Sequence, residues 1–77
     1  MVIIYLGSNV VKSKSGKEFY IVYLGKEIDN GYESFSAFTN KETFDKISKT
    51  KVFSVVDGLA IFFNHNQSGV NNVYYRK

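Results

Sequence analysis

A chain of 77 residues with no cysteine and one histidine excludes a disulfide framework, a thiolate metal site and a multi-histidine zinc site. Its net charge of +3 permits an anionic partner without demanding one. No proline and a high share of Tyr and Phe favour a β-rich chain, expected to be one domain over residues 1–77.

Residues 2–6 form a short β-branched run that reads as a strand. Gly7-Ser8-Asn9 interrupts it, and Val10-Val11-Lys12 resumes it after a bulge or bend. Residues 13–16 are turn chemistry, with Gly16 able to take positive φ. The second strand is expected over 19–24. A polar loop follows over 25–31, marked by Asp29-Asn30-Gly31. Residues 32–38 read as a third strand.

The period then changes. Thr39-Asn40-Lys41-Glu42 fits a capping box with Thr39 as the cap, and Phe44 and Ile47 give a short helix one apolar side. Lys46, Lys49 and Lys51 sit where a helix dipole favours cations, which explains them structurally. A fourth strand is expected over 52–56. Asp57-Gly58 then signals either a type I′ hairpin returning over 59–63 or a kink within one long strand. Residues 64–69 are a polar loop and 70–75 the last strand. The expected fold is mainly β: a five- to six-stranded OB-like barrel with one short helix between the third and fourth strands. SH3-like barrels with an added helix share this order.

The opening six residues are too short for a signal peptide, and nothing approaches a membrane span, so a cytoplasmic protein without membrane contact is expected. So small a core is marginal, and association into a homodimer is the staple left to it. No nucleophile elbow, phosphate-binding glycine loop or carboxylate pair is present. His65 stands in a polar loop without partners for a base or ligand set. No enzymatic role, metal or cofactor is expected.

Charge is unevenly spread. Lys12, Lys14 and Lys17 cluster without an acid between them, whereas Glu27, Asp29 and Glu33 cluster without a base. Single-strand binders combine a positive groove with aromatic rings on which bases stack. Period-2 alternation separates Phe19, Ile21 and Tyr23 from Glu18, Tyr20 and Val22, and the company of Glu18 places Tyr20 outward. In the third strand Phe35 and Ala37 are read inward, leaving Tyr32, Ser34, Ser36 and Phe38 on the other face. Tyr74, between Asn72 and Arg76, is read outward. The expected platform is Tyr20, Tyr32, Phe38 and Tyr74, rimmed by Lys12, Lys14, Lys17 and Arg76. Each aromatic also has a purely structural reading as core or dimer contact, and the lysines as a solvated edge.

Three stretches carry a resemblance: Lys14-Ser15-Gly16-Lys17, Phe19-Tyr20-Ile21-Val22-Tyr23, and Asn66-Gln67-Ser68-Gly69 leading into Val73-Tyr74-Tyr75. In these the chain resembles the small single-stranded-DNA-binding proteins of phages. The resemblance implies binding to single-stranded DNA without sequence preference, during phage or plasmid replication, and self-association. RNA is not distinguished from DNA by any feature of the sequence. The acidic C-terminal tail of larger members is missing, so recruitment of partners by that route is not expected. A second reading is a small phage protein that binds and inhibits a host protein, since exposed tyrosines on a charge-polarised surface also suit a protein partner. The two readings divide on where the acidic stretch 27–33 lies relative to Lys12, Lys14 and Lys17.

Overall fold

The computed structural model describes residues 2–63 and 71–76. Five strands and one helix follow in the order β1 (Ile3–Lys12), β2 (Glu18–Ile28), β3 (Gly31–Thr39), α1 (Lys41–Ile47), β4 (Leu59–Phe62) and β5 (Asn72–Tyr75). The fold is mainly β, with its short helix between the third and fourth strands as expected. The polar loop over 64–69, with His65, lies outside the described residues.

The strands form one sheet in the order β1-β2-β3-β5-β4. β1, β2 and β3 are an antiparallel meander, β3 meets β5 in parallel, and β5 meets β4 antiparallel. β1 is a single strand with a register shift between Tyr5 and Gly7, which is the bulge expected at the glycine. β2 runs four residues past its expected end, so Gly25, Lys26, Glu27 and Ile28 are strand and not loop. Only Asp29 and Asn30 are left to the turn before Gly31 opens β3.

The sheet does not close into a barrel, which corrects the barrel expectation. Residues 52–56 are likewise no strand of the sheet. They touch the free edge of β1 through an isolated bridge, Ile4 to Val55, and through three backbone bonds. Tyr5 N donates to Ser54 O, Phe53 N to Tyr5 O, and Val56 N to Ile3 O, at 2.9, 2.7 and 2.8 Å. Gly58, at φ +79, then turns the chain into β4, which pairs with β5 instead. Asp57 lacks the positive φ that a type I′ hairpin requires at both central residues, so the hairpin does not form, and with 52–56 outside the sheet there is no long strand to kink at this corner either.

The inner side of the curled sheet holds the core. Ile3, Tyr5, Val22, Leu24, Ala37, Val56 and Val73 are buried there with Ile47 of α1, and Phe35, Leu59, Ile61 and Tyr75 pack against them. α1 covers one end of this inner side. Asn40, and not Thr39, caps it, accepting from Thr43 N at 2.8 Å. Thr39 is still in β3, and its hydroxyl donates to Val73 O at 2.6 Å. The cap moved by one residue because β3 keeps its ladder to the last position available. Among the described residues no helix is long and apolar enough to cross a membrane.

Candidate nucleic-acid interface

Register fixes what the outer face carries. Directly paired residues share a face. Val11 pairs with Phe19, Asn9 with Ile21 and Gly7 with Tyr23 across β1 and β2. Ile21 pairs with Phe38 and Glu27 with Tyr32 across β2 and β3. Phe38 meets Asn72 of β5, which pairs with Phe62 of β4. Asn72, Phe62 and Tyr74 alternate with buried Val73 and so face the same way. Phe19, Tyr23, Tyr32, Phe38, Tyr74 and Phe62 therefore lie on one face that α1 does not cover.

Neighbouring rings touch. Phe19 and Phe38 have centroids 6.1 Å apart, and Phe62 and Tyr74 6.3 Å, in both cases tilted. The Lys17 ammonium lies 5.5 Å from the Phe19 centroid, so a cation abuts the first ring pair. Tyr32 and Phe62 are more than half exposed, at 54% and 58%. Scattered exposed aromatics are ordinary, whereas aromatics grouped on one face are the kind of surface a partner can use.

The lysine turn is well ordered. Ser13 N donates to Lys17 O at 2.8 Å and Gly16 N to Ser13 O at 2.9 Å, with Gly16 at φ +86. A side chain there is strained whatever the space, which is why glycine occupies it. Lys14 and Lys17 project from this turn, while Lys12 closes β1 opposite Glu18.

Strand direction places the charges. β1 and β5 both run toward the same end of the sheet, so Lys12, Lys14, Lys17 and Arg76 share that end. The acidic stretch sits at the other end of β2. That strand has 11 residues, about 33 Å at roughly 3.3 Å per residue. Acid and base are opposed and not interleaved.

Tyr20 is the correction. It pairs with Val10 and Thr39 and shares the parity of Val22 and Leu24, which are fully buried. Its ring packs on Phe44 of α1 at 5.0 Å, and its hydroxyl donates to Glu18 at 3.2 Å. Desolvation, then the Glu18 charge, raise its pKa above 10.0. Tyr20 is thus part of the inner side, and the platform loses it. Tyr32, Phe38 and Tyr74 stand on the outer face as expected. Phe19, Tyr23 and Phe62 belong beside them and were missed. Val22 and Leu24 held the signal: two aliphatic residues one alternation apart mark the buried face more firmly than one acid at a strand end.

Set against protein-family models, curated proteins and solved structures, the chain gives no match.

Proposed function

We propose that the protein binds single-stranded nucleic acid without reading sequence, laying bases on the outer-face aromatics and phosphates toward the basic end. The observation that carries this reading is two ring pairs on the outer face, Phe19 with Phe38 and Tyr74 with Phe62, with the Lys17 ammonium against the first ring. Exposed rings accept only unstacked bases, so a duplex offers them no face. The opposed acidic end supports this as well, because no carboxylate of that stretch stands among the lysines. The reading is of a binding protein and not an enzyme, acting on single-stranded DNA in phage or plasmid replication in the cytoplasm of the host cell, and self-associating as a homodimer.

One observation favours the second reading, an inhibitor of a host protein. Phe53 is 75% exposed and held at φ +75, a region that costs a bulky residue about 1–2 kcal/mol. A strained aromatic offered to solvent beside exposed Val52 and Val55 suits a protein pocket.

Fluorescence anisotropy of a labelled thymidine oligomer, at low and moderate salt with duplex competitor, separates the two. Binding that weakens with salt and survives duplex is the expected result. No binding at low salt, where attraction is strongest, removes the first reading, and capture of a host protein becomes the experiment.

A further inference from the structure

A cavity of about 290 Å³ opens between α1 and β5, lined by Glu42, Thr43, Lys46, Tyr74, Tyr75 and Arg76 among others. Two cations and one carboxylate face it. Lys46 holds its ammonium 5.6 Å from the Tyr75 centroid, a cation over a ring in the wall of the cleft. Tyr74 belongs both to this cleft and to the outer aromatic row. The cleft lies at the basic end, where β5 finishes and α1 begins.

Two paths are open to a strand on the outer face. Running along β2 takes its phosphates from the lysine turn into Glu27, Asp29 and Glu33. Crossing the β-strands takes it from Lys17 over Phe19, Phe38 and Tyr74 to the cleft, meeting cations at both ends. The crossing from β1 to β5 spans three strand spacings, about 14 Å at roughly 4.8 Å each. Electrostatics selects the second path. Resting on the proposed single-strand binding, we infer that the strand crosses the sheet along its basic end and that the Lys46–Arg76 cleft receives the phosphodiester beyond Tyr74. Lys46 is then a phosphate ligand as well as a helix-terminal cation, and Glu42 limits the attraction of the cleft.

The test is the salt slope of binding to a thymidine oligomer of about 16 nucleotides, the upper end of site sizes for one small barrel. Lys46→Gln and Arg76→Gln should each reduce the slope of log affinity against log salt by about 0.7, equivalent to roughly fivefold weaker binding near 0.1 M salt. Glu42→Gln should strengthen binding, and Lys46→Arg should keep the wild-type slope. Lys49→Gln removes the same charge outside the cleft and should leave the slope unchanged. Lys46→Met keeps an unbranched side chain of similar length beside Tyr75 and removes the charge, so it should show the same reduced slope while its urea midpoint shows that the fold is intact. If the wild type binds and Lys46→Gln and Arg76→Gln behave as Lys49→Gln does, the path is wrong and single-strand binding stands. If the wild type does not bind, both fall.

Discussion

Both faces of this sheet carry large apolar side chains, yet they differ in kind. The inner face is chiefly aliphatic and closed: Val22, Leu24 and Val73 are fully buried, with Ile47 of α1 set among them. The outer face is open and sets its aromatics among polar residues such as Ser34, Ser36 and Asn72, with Phe19, Tyr23 and Tyr74 each a little over a third exposed. The difference lies in side-chain chemistry. A Leu or Val gains only from leaving water, whereas a Phe or Tyr also presents a flat π face to a partner. The two faces should therefore respond differently to truncation, one in stability and the other in binding.

The largest expected effect is on the inner face. Leu24→Ala removes a fully buried side chain from the centre of β2, and such changes cost about 2–5 kcal/mol. Total stability for a chain of this size is on the order of 4–12 kcal/mol, so the urea midpoint should fall steeply. A shift of less than about 1 kcal/mol would mean that the curled sheet does not close on a fixed core.

Phe19 and Tyr20 give a sharper contrast, because they are neighbours on opposite faces of one strand. Phe19→Ala should cost about 1–2 kcal/mol of stability, through strand preference and the lost Phe38 ring contact. In binding it should cost about 1–3 kcal/mol, the usual loss for one stacked base. Tyr20→Ala should show the reverse: it loses the Phe44 contact and destabilises the seat of α1, while affinity measured on the folded protein holds. Equal affinity losses from both variants would erase the distinction between the faces.

That distinction was only half legible in the sequence. Alternation divided β2, β3 and β5 correctly into two sets, and in β3 and β5 it also named the buried set, because Ser34 and Ser36 and then Asn72 and Arg76 are polar enough to mark the outside. In β2 both sets are apolar, and the deciding residue was Glu18. It sits at the strand end beyond the core, opposite Lys12, where an inward-parity acid still reaches water. The place of the helix and the bulge at Gly7 follow from short local patterns, whereas the loss of a strand over 52–56 and the opposition of the charges do not, because they depend on which strands pair. The continuation of β2 through Lys26 and Glu27 does not, because it depends on their pairing with Glu33 and Tyr32 in β3. That the sheet does not close between β1 and β4 is also a tertiary result, set by where Gly58 turns the chain.

The smallest effect lies in two inner-side phenols. Desolvation is the first cause that raises the pKa of both Tyr20 and Tyr75 above 10.0; Glu18 adds to it at Tyr20, while a hydrogen bond with Thr50 works against it at Tyr75. In the unfolded chain these phenols ionise near 10.0, before they do so in the fold. Above that pH the unfolded state binds fewer protons than the native one, so stability falls as pH rises. The contribution is complete below 10.0 and is lost as pH climbs through the raised values. The comparison is with Tyr20→Phe/Tyr75→Phe, which keeps both rings and removes both protons. Its urea stability should decline less steeply above 10.0 than that of the wild type. Parallel curves would mean that the ionisation of neither phenol is coupled to folding.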